Sequence, residues 1–74
     1  MAAIIKRSLV LNGHATSISL EEPFWDYIKG AAARDGKSVQ AFVASIDQTR
    51  TTGNLSSALR LFALADAQAT KELA

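Results

Sequence analysis

Few residues in this chain could do chemistry, and their types narrow what that chemistry is. Nucleophilic catalysis needs a nucleophile beside a base, but the chain has no cysteine and a single histidine, His14, with no matched nucleophile or second base near it. His14 is therefore expected to be a turn residue, and with no companion ligand it predicts no metal site and no cofactor. No glycine-rich phosphate loop is present, so the chain is not expected to be an enzyme. What remains is charge. Lys6 and Arg7 lie in the first twenty residues without any acid, whereas all seven acids fall from Glu21 onward. That asymmetry favours an N-terminal segment that faces anions, although the net charge of +1 is smaller than most polyanion-binding domains carry.

The elements that must position these residues are legible in the spacing. Asn12-Gly13 sits between Ile4-Ile5-Lys6-Arg7-Ser8-Leu9-Val10-Leu11 and Ala15-Thr16-Ser17-Ile18-Ser19-Leu20, which predicts a β-hairpin within residues 1–20. In its second strand Thr16, Ile18 and Leu20 share one face and Ala15, Ser17 and Ser19 the other. At Glu21-Glu22-Pro23 the period changes. Acids and a proline suit a helix start, Phe24, Tyr27, Ile28, Ala31 and Ala32 repeat at three and four, and Gly36 ends a helix over 22–35. Ser38 can cap a second helix over 38–49 carrying Val39, Phe42, Val43 and Ile46. Beyond Thr51-Thr52-Gly53, Asn54 can cap a third helix over 54–70. Leu55, Leu59 and Phe62 form one row of it, with Leu61, Leu64 and Ala65 outside that row.

A chain of 74 residues is one small domain, 1–74, with a modest core. Disulfides and metals being excluded, a homodimer is the expected supplement to that core. Apolar residues make up 49% of the chain without a membrane-length run or a secretory stretch, so a cytoplasmic location and no membrane contact are expected.

The pattern of alternating strand, helix, Gly36-Lys37-Ser38-Val39 turn and second amphipathic helix resembles the ribbon-helix-helix (Arc/MetJ-type) family. The match is most specific at Thr16-Ser17-Ile18-Ser19-Leu20-Glu21 and at the Gly-x-Ser turn some fifteen residues later. The extra N-terminal strand and C-terminal helix resemble a little-characterised bacterial subgroup. The resemblance implies a mainly α homodimer with a short β-ribbon, and DNA binding by a bacterial transcription regulator or repressor. In such proteins one strand from each protomer forms a ribbon whose outward side chains read base edges in the major groove of double-stranded DNA. The matching base-reading positions are Ala15, Ser17 and Ser19. The resemblance further implies a phosphate clamp at Lys37, Ser38 and the Val39 N–H, where a helix N-terminus offers unpaired donors; Lys6 and Arg7 join it as phosphate contacts. Ile18, Leu20, Phe24, Ile28, Phe42, Val43 and Ile46 are the expected dimer core, and pairing of dimers into tetramers stays open. The rival reading is an antitoxin-like or scaffold dimer whose third helix docks on a protein partner.

A two-residue hairpin sets Leu11 opposite His14, Ser8 opposite Ser17 and Lys6 opposite Ser19. This puts Lys6, Ser8, Val10, Ala15, Ser17 and Ser19 on one face and Ile5, Leu9, Leu11, Ile18 and Leu20 on the other with Arg7. Arg7 would then snorkel outward or reach a phosphate. Two hairpins joined through a central ribbon would make four strands, wider than the element that the major groove admits. Either the N-terminal strand bends toward the DNA backbone, or the sheet has another use.

Overall fold

The computed structural model describes residues 3–50 and 53–73, with side chains through residue 70; Met1, Ala2 and the expected link residues Thr51 and Thr52 lie outside the described residues. Strands β1 (Ile4–Leu11) and β2 (His14–Glu21) are followed by helices α1 (Glu22–Arg34), α2 (Val39–Thr49) and α3 (Leu55–Leu73). This is the mainly α fold with a short β-ribbon that the spacing predicts.

The hairpin turns where it does because Asn12 and Gly13 both take positive φ, 53° and 80°, which is the backbone that continues the right-handed twist of its strands. The register runs from Ile4 opposite Glu21 to Leu11 opposite His14, with Lys6 facing Ser19 and Ser8 facing Ser17. His14 is the first residue after the turn and is exposed.

Proline in the first turn starts α1. At its other end Gly36 takes φ 67°, which lets Gly36 N–H reach Ala33 O at 3.1 Å and Lys37 N–H reach Ala32 O at 3.0 Å. These two bonds satisfy carbonyls that the helix end would otherwise leave open. Ser38 then caps α2, its Oγ accepting from Ala41 N–H at 3.1 Å, and Asn54 caps α3 by accepting from Ser57 N–H at 3.1 Å.

The core lies between the inner face of the hairpin and all three helices: Leu11, Ile18, Leu20, Trp25, Ile28, Ala31, Ala32, Phe42, Val43, Leu59 and Ala63 are buried. One expectation is corrected here. The row that α1 buries against the hairpin runs through Trp25, Ile28 and Ala32, while Phe24 is only half-buried, because Phe24 and Tyr27 turn toward α3. Of the expected dimer core, Ile18, Leu20, Ile28 and Val43 are at most 1% exposed within one chain. Within this one chain α3 contributes Leu59 and Ala63 to their cover and sets Phe62 edge-on against Phe42 with ring centroids 5.3 Å apart. Ile46, the remaining member of the expected dimer core, is half-buried in the same cluster.

Candidate nucleic-acid interface

The two-residue period of a strand and the register of the hairpin decide which side chains share its outer face. Ile4, Lys6, Ser8 and Val10 of β1 stand beside Glu21, Ser19, Ser17 and Ala15 of β2. Ala15 and Ser17 are exposed and Ser19 is partly covered, so the three expected base-reading positions do lie together on one open face, with Lys6 directly across from Ser19. The hydroxyls of Ser8, Ser17 and Ser19 can each donate or accept toward a base edge.

Lys6 differs from every other lysine and arginine whose side chain is described. Arg7 pairs with Glu22 at 2.9 Å, Lys29 with Asp26 at 3.3 Å, Arg34 with Asp66 at 2.7 Å, Lys37 with Asp35 at 3.4 Å, Arg50 with Asp47 at 2.6 Å and Arg60 with Glu21 at 2.8 Å. Among these described residues Lys6 alone has no acid partner, and it sits in the middle of the outer face.

Arg7, expected with Lys6 as a phosphate contact, points the other way. Its guanidinium lies 4.6 Å over the Trp25 ring and donates through Nη2 to Glu22, while Nη1 is buried without a hydrogen-bond acceptor. The cation is held by the indole face and one carboxylate, under the hairpin and away from the serine face. Arg7 thus fastens β1 to α1.

The expected clamp residues are found at the turn into α2. Lys37 is exposed and shares its charge with Asp35; Ser38 is exposed and occupied as the cap; Val39 is half-buried. What brings this turn to the ribbon is Gln40, a residue that sequence spacing does not single out. Its Oε1 accepts from Val10 N–H at 2.7 Å, so the first turn of α2 is fixed to the outer edge of β1. No local pattern announces that contact, which joins residues thirty apart.

The opposite edge of the hairpin is held by α3. Ser56 Oγ accepts from Ser19 N–H at 3.1 Å, Arg60 Nε donates to Glu21 Oε1 at 2.8 Å, and Arg60 Nη2 reaches Ser19 O at 3.4 Å. The Arg60 guanidinium holds the Glu21 carboxyl below its ordinary range. A second polar cluster fixes α3 to α1. Asp66 Oδ2 accepts from Tyr27 OH at 2.5 Å and from Arg34 Nη2 at 2.7 Å. The Tyr27 hydroxyl first and Arg34 second lower the Asp66 carboxyl, and the same carboxylate raises the Tyr27 phenol.

Outside the ribbon face, Leu61 and Leu64 on α3 are 57% and 54% exposed. Leu64 borders an apolar groove formed with Pro23, Phe24, Tyr27, Ala63 and Ala67. Among the described residues no cluster of three or more His, Cys, Asp or Glu side chains could hold a metal ion, and no helix is long and apolar enough to cross a membrane.

Comparison with known proteins agrees with this architecture. Residues 4–67 match the model of the family described as ribbon-helix-helix domain. The chain is similar to a solved structure, that of an uncharacterized protein from Bordetella pertussis Tohama I, at 32% sequence identity over 96% of this chain with a TM-score of 0.81. It spans 61% of the length of that structure's chain. No curated protein matches. With the family model covering most of its length, the chain belongs to the ribbon-helix-helix family, whose members are in general DNA-binding regulators or antitoxins rather than enzymes.

Proposed function

We propose that the protein is a DNA-binding transcription regulator, a repressor type, that lays the outer face of its hairpin in the major groove of double-stranded DNA. The observation that carries this reading is Lys6: an acid-free cation at the centre of an exposed, serine-rich face, in a chain where the other described lysines and arginines are committed to acids. A two-stranded antiparallel element is of the width that the groove admits. Ala15, Ser17 and Ser19 of β2 face the base edges in this arrangement, and Lys6 approaches a phosphate. The first turn of α2, tied to the β1 edge by Gln40, brings Lys37, Ser38 and the Val39 N–H to the flanking backbone, where a helix N-terminus and a lysine favour a phosphate oxygen. Serines discriminate bases less sharply than arginine or asparagine, so the expected protein binds with a modest sequence preference on top of a salt-dependent term. Binding of this kind fits a cytoplasmic protein and needs no cofactor.

The test is Ser17→Glu, a change on an exposed site that leaves Ile18 and Leu20 inside. Circular dichroism and melting should match the parent, while duplex binding by fluorescence anisotropy should weaken by at least about 1–3 kcal/mol, the scale of one wrong base contact. A folded Ser17→Glu protein that binds as tightly as the parent would remove the hairpin face as the reading surface. In that case the antitoxin-like reading gains, in which a protein partner docks on α3. The observation favouring it is the exposed Leu61 and Leu64 beside the α1–α3 groove.

A further inference from the structure

Four residue pairs cross the outer face of the hairpin, and their chemistry changes along it: Ile4 with Glu21, Lys6 with Ser19, Ser8 with Ser17 and Val10 with Ala15. Toward the turn the face becomes apolar. Val10 is 56% exposed, Ala15 beside it is exposed, and neither belongs to the core beneath. The Val10 N–H goes to Gln40, outside the sheet, so Val10 and Ala15 meet as a non-hydrogen-bonded pair, the arrangement in which facing side chains of an antiparallel ladder lie closest. Their methyl groups form one small apolar spot next to the hydroxyls of Ser8 and Ser17. Ile4, the exposed apolar residue at the other end of this face, stands beside the Glu21 carboxylate, which a phosphate-lined groove disfavours.

The apolar spot is also held in place. Gln40 Oε1 accepts from Val10 N–H at 2.7 Å and Gln48 Nε2 donates to Asn12 Oδ1 at 3.4 Å, so α2 grips the turn end of the hairpin at two points. Because Gln40 lies in the first turn of α2, the same bond fixes Val10 relative to Lys37 and Ser38. A side chain on backbone fixed in this way loses little freedom on binding. In the major groove every base edge offers hydrogen-bonding groups, and thymine alone among the four standard bases adds a methyl group at C5. Serine hydroxyls bond to several base edges, whereas an apolar spot gains most from that methyl.

We propose that Val10, with Ala15 beside it, is the specificity-determining contact of this face and packs on the 5-methyl group of a thymine in the major groove. The inference rests on the DNA-binding reading above and deepens it: the serines and Lys6 supply tolerant or sequence-blind contacts, and the turn end of the hairpin supplies a preference for an A·T pair. Burying one methyl group on apolar surface corresponds to about a fourfold change in affinity.

The test uses the full chain and a duplex that it selects from a random pool, with each thymine replaced in turn by uracil, which removes the methyl group and keeps every hydrogen-bonding group of the base. By fluorescence anisotropy, replacement of one thymine, or of a symmetry-related set, should weaken binding about fourfold per methyl, and replacement of the others should change little. Val10→Ser, its fold checked by circular dichroism and melting, should bind the thymine and uracil duplexes equally. Lys6→Ala should bind both more weakly and keep their ratio. The readout is a ratio of two duplexes on one protein, so a lower fraction of folded protein does not move it. A parent that binds the selected duplex but accepts uracil at every thymine overturns this inference alone, and so does a Val10→Ser protein that keeps the ratio or a Lys6→Ala protein that loses it. A parent that retains no duplex from the pool overturns the DNA-binding reading itself.

Discussion

Replacing Lys6 by alanine should remove one phosphate contact from the complex and nothing from the fold. Lys6 is exposed, has no acid partner among the described residues, and contributes no hydrogen bond to the packing between hairpin and helices. The size of the effect follows from counterion release, where each neutralised phosphate adds about 0.9 to the slope of log affinity against log salt. Between 50 and 200 mM salt the parent should therefore lose about 3.5-fold more affinity than Lys6→Ala, since a fourfold salt change raised to the power 0.9 gives that ratio. The curves should converge at high salt and diverge at low salt. Anisotropy titrations on a random duplex and on a selected site would show the same slope difference, because a phosphate contact carries no sequence information. An unchanged slope, or a loss that differs between the two duplexes, would refute the placement of Lys6 against the backbone.

The turn into α2 gives a paired expectation. Lys37→Ala should weaken binding equally on all duplexes and lower the salt slope by about 1. Asp35→Asn, which removes the acid 3.4 Å from Lys37, should strengthen binding in the same sequence-independent way; a weaker Asp35→Asn protein would assign Asp35 a different role. Leu59→Ala, at a position with no exposure, should cost about 2–5 kcal/mol in urea unfolding, whereas a loss below about 1 kcal/mol would mean that α3 does not close the core. The Asp66 cluster predicts the pH response. The carboxyl is lowered in the folded chain, so its contribution is complete above the unfolded carboxylate value of about 4 and is lost as pH falls through the lowered value. Tyr27 is raised, so its contribution holds up to the unfolded phenol value of about 10 and is lost as pH rises through the raised one. Melting temperatures of the parent and Asp66→Asn should differ at neutral pH and approach each other near pH 2; a gap that widens on acidification would contradict this sign.

Local signals were sufficient for the elements and insufficient for what joins them. Asn12-Gly13 fixes the turn and through it the register, so the sharing of one face by Lys6, Ser8, Ser17 and Ser19 follows from sequence arithmetic alone. Gly36 and Ser38 end one helix and begin the next through bonds that span three to five residues, and those too are local. The orientation of Arg7 is different. Period two places it on the inner face, but only the fold puts the Trp25 ring and Glu22 beneath it, and this converts an expected phosphate contact into a strut between β1 and α1. Trp25 itself falls one residue outside the apolar row chosen from spacing, because α1 buries two adjacent rows, one against the hairpin and one toward α3. The contacts of Gln40, Ser56, Arg60 and Asp66 all bridge thirty residues or more, and no spacing rule reaches that far.

The placement of charge and the closure of the strand edges have one physical origin. A ribbon that meets a polyanion has to expose a polar face while protecting the backbone at its two edges, since an unprotected edge is a template for pairing with any extended chain. Here each edge is held at one position by side chains from the helices, Gln40 at Val10 of β1 and Ser56 with Arg60 at Ser19 of β2, which leaves the outer face itself uncovered. Arg60 is bonded to both Glu21 and the Ser19 carbonyl, so a cation at the β2 edge is neutralised in place, and the acid at the end of the outer face is neutralised with it. The net field of that face then comes from Lys6 alone among the described residues. If Arg60 is replaced by methionine, Glu21 is left as a bare carboxylate at the end of the serine face, directed at the same phosphates that Lys6 approaches. Duplex binding should therefore fall even though the residue removed is a cation that touches no DNA in this arrangement, and Glu21→Gln in the same background should restore it. Failure of the second change to restore binding would show that Arg60 acts on DNA directly and not through Glu21.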